Sequence, residues 1–203
     1  MSGYSEYKFD TQFPESEIPY WSDQDGCPEE DTFLADIYEG VKASGYYSVD
    51  DFRALCKWRT PRSQTLIARN SESDITALTR RALAVNGEAL RIEILTSLAG
   101  VSWPTASVLL HVGTGYRYPI IDNRAMWSLG YEKSPAHTLD FWLAYTSFCR
   151  KAAERNSITL RTLDRSLWAY AKANQRSSTA IVAMKVPVQL KAVVGRPAEA
   201  VGV

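Results

Sequence analysis

One acidic side chain, Asp122, stands between an apolar run and a helical pattern in the segment YPIIDNRAMWSLG, residues 118–130. A carboxylate held among apolar neighbours can stabilise positive charge that develops on a reacting carbon, and it can orient or deprotonate an attacking water. Asp is also a favoured N-cap residue, so Asp122 can equally begin a helix. The sequence leaves both roles open, and they do not exclude each other.

A tight turn precedes this acid in the segment LTSLAGVSWPTASVLLHV, residues 95–112, which predicts two short helices. The turn LAGVS matches the pattern hydrophobic-x-Gly-hydrophobic-Gly at four of its five positions. A turn of this kind leaves backbone N–H groups free to bind phosphate at the start of the second helix. We expect Gly100 to supply a close or left-handed backbone, Val101 to pack between the helices, and Ser102 to begin the second helix. Pro104 is tolerated in the first helical turn.

From this turn to Gly130, the chain resembles the helix-hairpin-helix DNA glycosylases, the superfamily of the adenine-mismatch glycosylase and endonuclease III. In that superfamily, the catalytic Asp follows the second hairpin helix after a short loop and an apolar run, and Asp122 occupies the matching position. The resemblance spans residues 90–130. It implies a hairpin at 90–112 that binds DNA backbone phosphates, and hydrolytic removal of a flipped base by Asp122.

Two departures refine what the resemblance implies. Bifunctional members carry a nucleophilic Lys where this chain has Pro104, so we expect a monofunctional enzyme without AP-lyase activity. Cys27, Cys56 and Cys149 are too few and too widely spaced for the cysteine cluster that holds iron and sulfur in some relatives. We therefore expect no cofactor and no metal, and a reduced, cytoplasmic compartment.

Further candidate DNA contacts surround the acid and the turn. A basic and aromatic cluster in CKWRTPRS can pair phosphate contacts with a platform for a base, although a solvated helix end explains it equally well. The complete set of predicted contacts is Gly100, Val101, Ser102, Trp103, Thr105, Arg124, Lys57, Trp58, Arg59 and Arg62. We expect His111 and His137 to be packed or exposed without a chemical role, and Trp127, Trp142 and Trp168 to lie mostly in the core.

Helical spacing dominates residues 31–175 and strand-like alternation is scarce before residue 180, so the predicted fold class is all-α, similar to the helix-hairpin-helix glycosylase domain. Residues 1–30 are acidic and aromatic and predict an extended leader rather than a helix. Residues 176–203 predict a loose tail. The helices expected at 138–155 and 159–174 are amphipathic packing helices with no chemical role of their own.

The zero net charge of the chain conceals an asymmetry. Residues 1–31 hold nine acidic residues and one basic residue, which leaves 22 basic and 14 acidic residues in 32–203. A basic body is compatible with DNA as a partner, although an ordinary solvated surface accounts for it too. No apolar run reaches the length of a membrane span, so no membrane partner is expected.

Two alternatives to a glycosylase remain at this point. The chain can be a DNA-binding protein that keeps the hairpin without the chemistry, as the GVSWP variation of the turn suggests. It can also be a structural or interaction domain in which Asp122 is only a helix cap and the turn only joins packed helices.

Overall fold

The computed structural model describes residues 7–175, which contain ten α-helices, two single-turn 3₁₀ helices and no β-strand. This confirms the all-α class. No helix among these is long and apolar enough to cross a membrane. The α-helices are α1 Ile18–Gln24, α2 Pro28–Ser44, α3 Val49–Arg59, α4 Gln64–Ile67, α5 Glu72–Ala84, α6 Glu88–Thr96, α7 Trp103–Gly113, α8 Asn123–Ser128, α9 Leu139–Arg155 and α10 Leu160–Asn174.

Side-chain caps explain where many of these helices begin. Ser48, Ser71, Asp122, Thr138 and Thr159 each accept a hydrogen bond from a backbone N–H in the first turn of α3, α5, α8, α9 and α10, respectively. Each bond satisfies one of the N–H groups that a helix start leaves without a partner. The helices expected at 138–155 and 159–174 are confirmed within one residue, as α9 and α10.

Helix α7, the second helix of the predicted hairpin, is the most deeply buried helix that the structure describes. Every residue from Thr105 to Val112 is buried. Helices α2, α3 and α6 pack around it. A helix covered on all sides must be apolar around its whole circumference, which is why TASVLLHV shows no polar face.

The extended leader expected for residues 1–30 is wrong for residues 18–24, which form α1, and α2 already begins at Pro28. Ile18 is completely buried, and Pro19 stands in the first turn, where a missing N–H costs no helical hydrogen bond. Helix α1 packs along α10, and the rings of Phe13 and Tyr170 lie 4.7 Å apart between centroids. The tail predicted at 176–203 lies outside the described residues.

Acidic residues at the start of α2 pair with arginines of α10. Asp31 contacts Arg161 at 3.0 Å and Arg165 at 2.7 Å, and Glu30 contacts Arg161 at 3.2 Å. These ion pairs join the acidic leader to the basic body that the charge asymmetry indicated. Part of the positive charge in residues 32–203 is therefore neutralised within the fold and does not face a partner.

Candidate active site and nucleic-acid interface

The predicted hairpin is formed by α6 and α7, and the turn between them requires glycine at one position. Gly100 has φ +78°, a left-handed conformation that side chains disfavour. A Cβ atom on Gly100 would lie 2.9 Å from Leu66 Cβ and 3.0 Å from the backbone nitrogen of Ile67 in α4. Val101 is buried in the core, as expected. The structural roles predicted for Gly100 and Val101 are confirmed.

One buried amide, which the sequence did not reveal, holds the turn in place. Asn70 Nδ2 donates to the carbonyl oxygen of Ala99 at 2.9 Å, and the Ala99 N–H donates to Asn70 Oδ1 at 2.8 Å. Asn70 also caps the end of α4 by donating to the Ile67 carbonyl at 2.9 Å. The inner side of the turn is therefore docked on α4, and only its outer side faces solvent.

The turn carries backbone donors that have no partner within the described residues. Ser102 is the N-cap residue of α7, as predicted, but its hydroxyl makes no capping hydrogen bond and lies 3.4 Å from Thr105 Oγ1. Within residues 7–175, the N–H groups of Gly100, Ser102 and Trp103 meet no hydrogen-bond acceptor. Such groups at a helix start are suited to phosphate oxygens.

Two predicted DNA contacts of the hairpin differ from expectation. The contact of Thr105 requires correction, and that of Trp103 is limited to part of its ring. Thr105 is buried and its hydroxyl lies 3.1 Å from that of Thr60, so its side chain does not reach a ligand. This contact does tie the first turn of α7 to the end of α3. Trp103 is half-buried and packs against the core, which leaves only part of its ring exposed beside the turn.

Four side chains hold the apolar run before Asp122. The run itself, residues 118–121, is buried. The bonds are His111 Nδ1 to the Tyr118 carbonyl at 2.6 Å, Tyr145 Oη to the Ile120 carbonyl at 2.9 Å, Arg59 Nη2 to the Ile121 carbonyl at 2.8 Å, and the Ile121 N–H to Ser107 Oγ at 2.9 Å. Since His111 and Ser107 belong to α7, the direction of the acid is fixed relative to the hairpin helix.

Asp122 combines the two roles that the sequence left open. Its Oδ1 accepts the Arg124 N–H at 2.8 Å, so it caps α8, and its Oδ2 lies 3.3 Å from Arg59 Nη2. The side chain keeps 20% of its surface exposed and opens into a cleft rather than the sealed core. Capping therefore fixes the carboxylate without removing it from solvent.

The cleft in front of Asp122 has a volume of about 730 Å³. Binding sites for small molecules and cofactors usually measure roughly 300–1,000 Å³, which suits a nucleoside-sized group. Its walls come from the end of α3, the connection between α1 and α2, the start of α2, the segment before α8, and α10. Residues that contribute aromatic faces are Phe33, Trp58 and Trp168, and the charged side chains are Asp25, Glu29, Glu30, Arg59, Asp122, Arg161, Asp164 and Lys172.

Another of these carboxylates, Asp164 of α10, lines the cleft with 13% of its side chain exposed. Burial raises the pKa of Asp164 to about 7; Arg161 opposes this shift and the nearby charge of Asp122 adds to it. The effect of burial dominates because the Arg161 guanidinium is shared among Asp164, Glu30 and Asp31. Asp164 therefore exchanges its proton near neutral pH.

Helix α10 contributes more to the site than its amphipathic pattern suggested. Trp168, expected in the core, is half-buried and lines the cleft. Arg124 Cζ lies 4.3 Å and Lys172 Nζ 4.8 Å from the centroid of its ring, within the range of cation–π contacts. Residues 161, 164, 168 and 172 recur at helical spacing and place one polar and aromatic face toward the cleft. That spacing was visible in the sequence, whereas the location of the face was not.

The cluster CKWRTPRS divides between two locations. Trp58 and Arg59 line the cleft, whereas Lys57 and Arg62 are exposed and stand outside its lining. Arg124 is held over Trp168 and gives its backbone N–H to Asp122. The structure thus joins Trp58, Arg59 and Asp122 in one site and leaves the two outer cations available only to a larger ligand.

The two histidines occupy a buried and a half-buried position, and the three cysteines form no disulfide with one another. His111 is fully buried and burial lowers its pKa to about 3, so it is neutral, which confirms it as a packed histidine. His137 is half-buried beside Ser134. Cys56 and Cys149 are buried, Cys27 is exposed, and all three are free. Across residues 7–175, no group of three or more metal-binding side chains comes together.

No family model, curated protein or solved structure matches this chain.

Proposed function

We propose that this chain binds DNA through the hairpin turn and hydrolyses the N-glycosidic bond of a base flipped into the cleft. Asp122 is the catalytic carboxylate of this proposal. The observation that carries it is the position of Asp122, an accessible carboxylate on the wall of a base-sized cleft, at the end of a segment bonded to the hairpin helix. A helix cap with no other role does not need to open into a cleft.

The chemistry requires a fixed carboxylate beside the sugar. Cleavage of the bond from C1′ to the base nitrogen develops positive charge on the sugar, which an adjacent carboxylate stabilises. Asp122 also accepts a proton from the water that attacks C1′. The Arg124 N–H and the Arg59 guanidinium hold its two oxygens in one orientation, so little reorganisation is needed during the reaction.

The charge of the cleft lining favours entry of the base and leaves the backbone phosphate outside. The lining of the cleft carries five acidic side chains and three basic ones. This lining disfavours phosphate and suits an uncharged base stacked on Trp58. The N–H groups of Gly100, Ser102 and Trp103 then bind the backbone phosphate outside. Pro104 has no amine, so a Schiff base and strand cleavage are not expected from this position.

A DNA-binding protein without chemistry is the second candidate. It is favoured by the ion pair of 3.3 Å between Arg59 and Asp122, since Arg59 occupies one oxygen of the carboxylate. In this alternative, the hairpin binds DNA and Asp122 only caps α8. A structural or interaction domain would use neither feature and would not bind duplex DNA in a salt-dependent manner.

The experiment screens a panel of duplexes with modified and mismatched bases for alkali-labile abasic sites, with binding to each duplex measured at several salt concentrations. The proteins are wild type, Asp122→Asn and, as a matched control, Asp140→Asn, which changes an exposed acid in the first turn of α9. We expect wild type and the control to release a base and Asp122→Asn to bind without releasing it. Salt-dependent binding without release on any duplex supports the second candidate, and absence of binding contradicts both.

A further inference from the structure

Besides Asp122, four acidic side chains line the cleft, and the hydrolysis by Asp122 does not use one of them, Asp164. Asp164 belongs to α10, far from Asp122 in sequence, yet both side chains line the same cleft. Asp122 stands on the segment before α8 and Asp164 on the wall formed by α10, so the two acids approach a ligand from different elements. A nucleotide in the cleft has a sugar and a base that can each meet one of them.

The environments of the two acids differ. Asp122 accepts a backbone N–H and contacts Arg59, whereas the one side-chain partner of Asp164 in the described part of the chain is Arg161 Nη1 at 3.1 Å. Titratable and charged groups facing Asp164 come from every helix around it: Arg161 of α10, Arg59 of α3, Glu30 of α2, Asp122 before α8, and Tyr145 and Cys149 of α9.

These different neighbours suit Asp164 to the role of an acid and Asp122 to the role of a base. Arg161 is shared among three carboxylates, and Tyr145 and Cys149 are buried and uncharged, since burial raises the pKa of both side chains. Burial and the charge of Asp122 raise the pKa of Asp164 to about 7. A carboxyl group with this pKa is still largely protonated slightly below neutral pH and can transfer its proton.

We propose that Asp164 donates a proton to the departing base while Asp122 serves the sugar. This assignment rests on the proposed glycosylase function. The bond from C1′ to the base nitrogen breaks and its electron pair stays on the base, which takes the proton of the Asp164 carboxyl. Water bonds to C1′ and passes a proton to Asp122. Exchange with solvent then returns Asp164 to its acid form and Asp122 to its carboxylate, so the net reaction consumes one water.

The test is the pH dependence of single-turnover base release, with the duplex on which the panel shows the highest activity. The proteins are wild type, Asp164→Asn and the control Asp36→Asn, which alters an exposed acid of α2 outside the cleft. For wild type and the control, the rate should fall about tenfold per pH unit above about pH 7, where the donor loses its proton. Asp164→Asn should be about 100-fold slower or more at pH 6, and its remaining rate should not fall above pH 7.

A second measurement does not depend on activity. Difference infrared spectra of wild type against Asp164→Asn record the carbonyl stretch of the protonated Asp164 carboxyl. We expect this band to disappear as pH rises through about 7, and its loss near the pH of an ordinary carboxyl would overturn the assignment.

The outcomes separate the two proposals. Wild type that releases a base while Asp164→Asn keeps the same rate and the same pH profile refutes the role of Asp164 alone. Wild type that releases no base from any duplex refutes the glycosylase function, and the role of Asp164 with it. If Asp164→Asn has lost its helical circular dichroism, the infrared pH titration of wild type alone decides. A carboxyl band that disappears near pH 7 supports the assignment, and the absence of such a band above the pH of an ordinary carboxyl contradicts it.

Discussion

Substitution of Gly100 by alanine tests the geometry of the hairpin turn. Gly100 has φ +78°, and an L-residue in this conformation costs about 1–2 kcal/mol. The added methyl group also meets Leu66 Cβ at 2.9 Å and the Ile67 backbone nitrogen at 3.0 Å. Because a backbone atom cannot rotate away, α4 must shift, at a cost of about 1–3 kcal/mol. Gly100→Ala should therefore lower the free energy of unfolding by roughly 2–5 kcal/mol.

Gly45 provides a matched control at the end of α2. Its φ is also +78°, but a Cβ atom there would meet nothing within 4 Å. Gly45→Ala should cost only the conformational part, about 1–2 kcal/mol. The difference between the two variants in urea unfolding then isolates the contact between the turn and α4. Equal destabilisation by the two substitutions would refute the close docking of the turn on α4.

The same pair of variants connects the turn to DNA binding. Under conditions where both remain folded, Gly100→Ala displaces the free N–H groups around residue 100, whereas Gly45→Ala leaves them in place. Duplex affinity, measured at fixed salt concentration, should fall for Gly100→Ala and stay unchanged for Gly45→Ala. Unchanged affinity in both variants would show that DNA phosphate does not bind at the N–H groups of this turn.

Three further predictions concern the supports of the site. Asn70→Ala leaves the N–H and carbonyl of Ala99 without partners and should destabilise the chain by about 1–3 kcal/mol in urea unfolding; no change would show that the amide does not hold the turn. Ser107→Ala removes the acceptor of the Ile121 N–H and should slow base release more than it weakens duplex binding, and an equal effect on both would contradict its role in directing Asp122. The pKa of Asp164 is raised to about 7 in the folded chain, so the native state binds more protons than the unfolded state between about pH 4 and 7, and stability falls as pH rises through that window. Asp164→Asn should abolish this loss, at most about 4 kcal/mol, and a pH dependence identical to wild type would contradict the raised pKa.

Local signals in the sequence predicted the hairpin and the cap. Gly100 marks a position where the backbone needs a positive φ, and Asp122 stands where a polar residue meets a helical pattern. Both features depend on residues close together in the chain, so spacing and residue type suffice to find them. Helix α1 of the leader was harder to predict from the sequence. It has only seven residues, and it gains its stability from packing on α10 rather than from the spacing of its own residues.

The wall of the cleft formed by α10 could not be located from the sequence. Asp164 and Trp168 show ordinary helical spacing, and their place beside Asp122 follows only from tertiary packing. The docking of Asn70 on Ala99, 29 residues away, is likewise a long-range contact. Periodicity indicates which residues of a helix share a face, but not which site that face meets.

The rate of base release by Asp122→Asn tests the central claim most directly. Asparagine caps helices as well as aspartate does, so α8 should keep its start and the unfolding free energy should stay within about 1 kcal/mol of wild type. On the duplex with the highest wild-type activity, single-turnover release should fall at least about 100-fold, while Asp140→Asn keeps the wild-type rate. Release by Asp122→Asn at the wild-type rate would contradict the account.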